Sequence, residues 1–139
     1  MKRTALLLSL TLAGGIALGV IGTQVLNAQQ QSVKRTELLR RDLPDPEGYE
    51  GIVAIFEFAP GAVGVKHYHP ASHNFAYVLE GAGIWESEAH PPVTRKQGDG
   101  FSEEPKEVHS AKNASTSAPL KVLVWTIAKK GQPLTVPVK

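Results

Sequence analysis

Cysteine is absent from the 139-residue chain, and methionine occurs only once. Without thiols the protein forms no disulfide bonds, and it has neither a cysteine nucleophile nor a cysteine-ligated zinc or iron–sulfur site. Any metal site must therefore use histidine, carboxylate or amide ligands. The chain is also too short for a multidomain enzyme, so its length allows one compact domain of ordinary size and an appendage.

The charge balance shows no excess of one sign. Fifteen Lys and Arg residues stand against thirteen Asp and Glu residues, which gives a formal net charge of +2. Two of the positive residues, Lys2 and Arg3, lie at the N-terminus, and from residue 29 onward the two signs are equal at thirteen each. A nucleic-acid partner is not expected, because phosphate binding requires a basic stripe or patch.

Residues 1–28 have the pattern of a targeting segment. Lys2 and Arg3 precede an apolar run from Ala5 to Leu26, as in a secretory signal. At ~1.5 Å per residue, this run would also span about 33 Å, close to the hydrocarbon thickness of a bilayer. We therefore expect either a cleaved signal peptide or a signal anchor that crosses the membrane through residues 5–26. Both alternatives export the following domain to a periplasmic or other extracytoplasmic location, and the second anchors it to the inner membrane.

Residues 29–48 are predicted to be a polar linker. The stretch begins with Gln29-Gln30-Gln31 and ends near Pro44-Asp45-Pro46, a composition typical of a solvated tether. Its middle, Thr36 to Arg41, is compatible with a strand or a short helical turn.

From Glu50 onward, short apolar runs separated by Gly and Pro predict an all-β fold. Strands are expected at residues 52–58, 63–69, 75–79, 83–85, 93–96, 108–112 and 120–128. No window after residue 28 carries a long apolar stripe at helical spacing. We expect a single-domain antiparallel β-barrel over residues 49–130, because closure protects the edges of such short strands, and a C-terminal tail at residues 131–139.

All five histidines lie between His67 and His109. His67 and His69 are two residues apart in an expected strand, so both side chains point to one face, roughly 6.6 Å apart along it. Two imidazoles in this arrangement can bind the same ion. His-x-His also occurs by chance on solvated strands, so the pair gains weight only from the residues around it.

The surrounding sequence resembles the two signature motifs of the cupin superfamily. In the first, Gly61 and five further residues precede His67-Tyr68-His69, and Gly81 closes the motif. The second motif begins at Gly98. It ends with His109 and Asn113, which are separated by three residues. The resemblance implies a small, jelly-roll-like antiparallel β-barrel that holds a divalent metal through His67, His69 and His109. It also implies a homodimer. With the targeting segment at residues 1–28, we expect a secreted or membrane-anchored member.

The glutamate ligand of the first cupin motif has no direct counterpart here. Counting back from Gly81 places Asn74 at its position, and counting forward from His69 places His73 there. The resemblance therefore implies Asn74 as an optional fourth ligand, with His73 as the alternative. Strand alternation places His73 on the face opposite Asn74 unless a bulge intervenes. The metal can be iron, zinc, copper, nickel or manganese, and an imidazole-rich site favours the first four.

Glu103, Glu104 and Glu107 form a local acidic cluster between the two halves of the second motif. The simplest interpretation is a solvated loop. The other interpretation is that one of them returns a carboxylate to the mouth of the metal site.

Two functions are compatible with these residues. In the first, the protein is a small metal-dependent oxygenase whose three-histidine metal site keeps an open position for O₂, water or substrate. In the second, it is a non-catalytic barrel that binds a small molecule or the metal itself, for sensing or storage. No catalytic residue is identified by the sequence, and the fold alone does not decide between the two functions.

Overall fold

The computed structural model describes residues 33–138, and within this range the chain forms β-strands and no helix. The strands are β1 (Val33–Asp42), β2 (Tyr49–Phe58), β3 (His67–Tyr68), β4 (Ser72–Glu80), β5 (Ala82–Ser87), β6 (Val93–Lys96), β7 (Gly100–Glu103), β8 (His109–Asn113), β9 (Leu120–Lys129) and β10 (Val136–Pro137). The targeting segment expected at residues 1–28 lies outside the described residues. Over residues 33–138 there is no helix with the length and apolar character that crossing a bilayer requires.

The strands form two antiparallel five-stranded sheets, which confirms the all-β fold. The first sheet has the order β1-β2-β9-β4-β7, and the second has the order β10-β3-β8-β5-β6. One expected strand is much shorter than predicted. Of residues 63–69, only His67 and Tyr68 form strand β3, and Val63 makes an isolated bridge to Lys112.

The core lies between the two sheets. Alternate residues of β2, β4 and β9 point inward, as the period of two requires. Val78 and Leu120 are completely buried. Trp85 of β5 and Ala111 of β8, both in the second sheet, pack against this cluster. Burial of an aliphatic side chain of this size stabilises the fold by about 1.5–3 kcal/mol, so this shared core holds the sheets face to face.

Strand β1 corrects the prediction that residues 29–48 form a linker. Residues 33–42 pair with β2 over nearly its whole length, from Val33 opposite Phe58 to Asp42 opposite Glu50, with a register shift between Glu37 and Leu39. The strand alternative considered for Thr36–Arg41 is therefore the correct one. Nearly every β1 residue is exposed. Main-chain hydrogen bonds to β2 hold this strand in the sheet. Its side chains are mostly polar and exposed, so the sequence pattern does not indicate a strand.

The C-terminal residues also differ from the expected tail. Val136 and Pro137 pair with Tyr68 and His67 as strand β10, next to the His-x-His segment. The Val138 amide donates a hydrogen bond to the Lys66 carbonyl at 2.9 Å. This segment therefore belongs to the barrel and lies against the histidines of the first motif.

Candidate metal centre

Three histidines come together where β3 meets β8. His67 of β3 lies directly opposite His109, the first residue of β8, and His69 follows β3 by one residue. The ring centroids are 4.6 Å apart for His67 and His109, 4.9 Å for His67 and His69, and 5.1 Å for His69 and His109. The convergence expected from the spacing of His67 and His69 is therefore observed, and cross-strand pairing adds His109.

Each imidazole is oriented by a backbone carbonyl. The Nδ1 atom of His67 lies 2.7 Å from the Val65 oxygen, and that of His109 lies 2.9 Å from the Glu107 oxygen. The Nδ1 atom of His69 lies 2.7 Å from the Leu134 oxygen, so the C-terminal segment takes part in building the site. Because a carbonyl can only accept, every Nδ1 carries the hydrogen, and in the neutral ring every Nε2 keeps its lone pair.

These lone pairs fit a divalent metal. The potential ligand atoms of the three histidines all lie within 4.8 Å of one another. The Nε2 atoms of His69 and His109 are buried and have no hydrogen-bond partner of good geometry. Buried polar atoms in folded proteins are nearly always satisfied, so unpaired acceptors that face a common point indicate a place for a cation.

The two candidates for a fourth ligand lie on opposite faces of β4, as strand alternation predicts. His73 is exposed on the outer face and does not reach the site, so the structure rules out this alternative. Asn74 is buried on the inner face. Its Oδ1, the atom that would bind a metal, accepts a 2.7 Å hydrogen bond from the Thr126 hydroxyl. Asn74 is therefore near the site, but its ligand atom is already bonded elsewhere.

A carboxylate does reach the histidines, from a different strand. Glu103 ends β7 and lies directly opposite Asn74 of β4. Its Oε2 is 3.2 Å from Nε2 of His69 and 3.6 Å from Nε2 of His109. Of the two interpretations of the acidic cluster, the return of a carboxylate to the site therefore holds for Glu103. The sequence contained this residue but no sign that β7 pairs with β4 at this register.

The carboxylate and the imidazoles shift each other's protonation. Burial opposes ionisation of Glu103, but its interactions with His109 and His69 outweigh burial and hold its pKa well below the usual range. Burial would lower the pKa of His109, yet the Glu103 carboxylate raises it above its ordinary value. Burial lowers the pKa of His67. The cluster thus favours an anionic Glu103 and a neutral His67. A positive charge beside the Glu103 carboxylate stabilises the anionic form.

A cavity of about 260 Å³ lies beside the centre and is lined in part by His109 and Glu103. Trp85 and Phe101 form an aromatic wall, with their ring centroids 4.6 Å apart in an edge-to-face arrangement. The Arg95 guanidinium lies 5.2 Å from the Phe101 ring centroid. The cavity can hold a small molecule that has contact with the carboxylate and with one histidine.

Asn113, which ends the second motif, has a structural role. Its side chain is buried, and its Nδ2 donates hydrogen bonds to the carbonyls of Ala118 at 2.8 Å and Ala59 at 3.1 Å. Its Oδ1 accepts from the Ser115 amide at 2.9 Å. Asn113 therefore joins the loop after β2 to the loop between β8 and β9, and it is not part of the metal centre.

Fold and site together define a class of protein: a small double-sheet β-barrel with a three-histidine candidate metal centre. Comparison with family models identifies it further, because the Cupin domain model matches residues 54–126, just over half of the chain. The chain belongs to the cupin family. This confirms the resemblance drawn from the two motifs. The comparison with curated proteins found no match.

Solved structures show the same fold at low sequence identity. A Klebsiella pneumoniae protein with a double-stranded β-helix domain matches with a TM-score of 0.62 and 19% identity, over 78% of this chain and 86% of the other. The polyketide cyclase RemF from Streptomyces resistomycificus matches with a TM-score of 0.60 and 20% identity, over 78% and 72%. An oxalate oxidase in complex with glycolate matches with a TM-score of 0.57 and 20% identity, over 77% and 55%.

Proposed function

We propose that this cupin is a small metal-dependent enzyme of the oxygenase type, with a divalent metal bound by His67, His69 and His109. The observation that carries the proposal is the convergence of the three imidazoles. Each has Nδ1 on a backbone carbonyl, and their potential ligand atoms lie within 4.8 Å of one another. We propose that the metal is iron, zinc, copper, nickel or manganese. Export of the protein from the cytoplasm stays a prediction from residues 1–28.

The residues around the centre have separate tasks in this proposal. When bound, a divalent metal supplies Lewis acidity and an open coordination position for an oxygen-bearing molecule. The carbonyls of Val65, Leu134 and Glu107 hold the imidazoles in the ligating tautomer. The cavity beside His109 holds the substrate against the aromatic wall of Trp85 and Phe101.

The structural neighbours include enzymes of different kinds and do not identify a reaction for this chain. Two of them are named as enzymes, an oxalate oxidase and a polyketide cyclase. At 20% identity these likenesses show the fold alone. Their different reactions show that the barrel supports more than one chemistry, so the substrate must be found by assay.

Oxygen consumption tests the proposed activity. The iron(II)-loaded protein is incubated with a panel of phenols, thiols and diketones in an oxygen electrode, and products are identified by mass spectrometry. We expect at least one substrate to give metal-dependent consumption that is lost in His67→Ala, because this variant lacks a ligand. His73→Ala is the matched control, since it removes an exposed histidine on the outer face, and it should keep full activity.

The contrary outcome favours the second candidate function. If members of the panel raise the melting temperature of the metal-loaded protein but no product forms, the protein is a binding barrel and the enzyme proposal is wrong. The cavity beside the centre gives this candidate its structural basis.

We also propose a homodimer formed through the outer face of the first sheet. Phe75 and Trp125 are cross-strand neighbours on this face and are 48% and 44% exposed. Tyr77 and Ile127 extend the apolar surface along the same two strands. Exposed apolar patches of this kind commonly mark interfaces. Light scattering over a range of concentrations should give twice the chain mass, and Trp125→Glu should give a monomer. A wild-type monomer at all concentrations would contradict the dimer.

A further inference from the structure

Glu103 lies at the distance of a metal ligand from two of the three histidines. Its Oε2 is 3.2 Å from Nε2 of His69 and 3.6 Å from Nε2 of His109. Two ligand atoms that are each ~2.1 Å from one metal lie about 3.0 Å apart at the octahedral angle and about 3.4 Å apart at the tetrahedral angle. The carboxylate and the two imidazoles therefore already have the mutual spacing of ligands around one ion.

The donor atoms of the cluster also suit a cation. With Nδ1 donating to a carbonyl, each neutral imidazole presents only an acceptor at Nε2, and an ionised carboxylate has no donor at all. Acceptors that face one another at this separation repel unless a proton or a metal ion lies between them. Glu103 thus belongs to the same cation site as the histidines, although it is on β7 and they are on or beside β3 and β8.

Asn74 and Thr126 hold the carboxylate in place. The Thr126 hydroxyl donates to Oδ1 of Asn74 at 2.7 Å, and this bond turns the Asn74 amide so that Nδ2 donates to Oε2 of Glu103 at 3.1 Å. The second oxygen, Oε1, lies 3.4 Å from the Trp85 indole nitrogen. The residue in the motif position of the missing glutamate therefore contacts the carboxylate that replaces it.

We propose that Glu103 is the carboxylate ligand of the three-histidine centre and that Asn74 is its positioning residue. The proposal rests on the metal centre proposed above. The amide at the motif position and the carboxylate lie on two directly paired strands, since Asn74 and Glu103 are cross-strand partners. The site keeps three imidazoles and one negative charge, which brings a divalent metal to a net charge of +1. The centre is thus suited to a metal that accepts both nitrogen and oxygen ligands.

The test compares metal affinity and ligand-field spectra in variants of the full chain. Zn²⁺ affinity is measured by competition with a chromophoric chelator, and Co²⁺ reports the coordination through its visible absorption. Loss of a partner outside the coordination sphere costs about 10- to 100-fold in affinity, so loss of a ligand in Glu103→Gln should cost roughly 100-fold or more and change the Co²⁺ spectrum. Asn74→Ala should weaken binding by roughly 10-fold with only a small spectral change.

A strand exchange provides the decisive variant. Asn74→Glu combined with Glu103→Gln returns the carboxylate to β4 and leaves an amide on β7, so most of the lost Zn²⁺ affinity should return. Glu104→Gln is the matched control, because Glu104 is the next carboxylate along the chain and is exposed, and its affinity should equal that of the wild type. Thermal melting of the metal-free variants establishes that each one folds.

The outcomes separate this inference from the proposed function. If Glu103→Gln keeps the wild-type affinity and Co²⁺ spectrum while His67→Ala loses the metal, Glu103 is not a ligand but the three-histidine centre stands. If the wild type itself binds neither Zn²⁺ nor Co²⁺, the metal centre and the ligand assignment both fail. Failure of the exchanged double variant to regain affinity, with both single variants folded, would also overturn the expectation that a carboxylate on either strand completes the site.

Discussion

Replacement of His67 and His109 together by Ala is expected to remove near-stoichiometric metal from the purified protein. Two of the three converging Nε2 atoms are lost, and a single imidazole beside Glu103 does not hold a divalent ion against solvent. Elemental analysis of protein purified without chelator measures this directly. The wild type should contain iron, zinc, copper, nickel or manganese, and the double variant none of them.

The same loss should appear as a loss of metal-dependent stability. A ligand that binds only the folded state stabilises it by about 4 kcal/mol when its free concentration is 1,000-fold above Kd. The melting temperature of the wild type should therefore rise clearly when metal is added. The melting temperature of the double variant should be the same with and without metal. Because removal of His109 also takes a partner from Glu103, the single variant His67→Ala is measured beside it.

The control for this experiment is His73→Ala, which changes an exposed histidine on the outer face of β4. It should keep the metal and the metal-dependent melting shift of the wild type. Metal that persists in the double variant would show that ions bind elsewhere on the chain. A wild type without metal, even after reconstitution, would mean a barrel whose histidines only pack and hydrogen-bond, and apolar ligands would then be the ones to test.

Substitution of Gly81 by Ala is expected to have the largest effect on folding. Gly81 connects β4 to β5 with a φ of +80°, and a Cβ at this position would lie 2.5 Å from the Pro119 carbonyl oxygen. A left-handed conformation costs an L-residue roughly 1–2 kcal/mol, and overpacking adds about 1–3 kcal/mol. We expect a loss of about 3 kcal/mol in the free energy of unfolding, which chemical denaturation with urea measures.

Gly98→Ala is the matched control for the Gly81 substitution. Its φ of +95° also lies in the region that L-residues rarely adopt, but a Cβ there would meet nothing within 4 Å. This variant should lose only the conformational part, about 1–2 kcal/mol. Equal losses in the two variants would show that the contact with Pro119 is relieved by movement of that loop, and the close approach would then have no energetic consequence.

Much of the core fold follows from local patterns in the sequence. The runs around Ile52 to Phe58 and Leu120 to Ala128 are β-branched and apolar, and they form the long central strands β2 and β9. Burial drives these strands into the core, so hydrophobic periodicity was enough to predict them. Strand β1 has polar residues on both faces, and its position depends on main-chain hydrogen bonds to β2. Main-chain hydrogen bonds do not depend on the side chains. The polar sequence of this stretch therefore predicts a linker, although the residues form a strand.

The residues of the metal centre are also predictable from the sequence only in part. His67 and His69 are predictable because two residues on one strand have a known geometric relation, and strand alternation also separates His73 from Asn74. The Leu134 carbonyl that orients His69 was not predictable, since it comes from a segment 65 residues away along the chain. Contacts of this kind depend on how strands pair, and no local pattern records the pairing.

The sequence by itself determined the class of fold, the absence of thiol chemistry and the three histidines, because each depends on composition or on spacing within one strand. Only the tertiary structure decided which carboxylate faces the histidines. The pairing of β7 with β4 places Glu103 opposite Asn74, and a shift of this register by one residue would turn the Glu103 side chain to the other face. This register depends on how the whole barrel packs. Only the complete fold therefore determines that the negative charge in the site comes from Glu103.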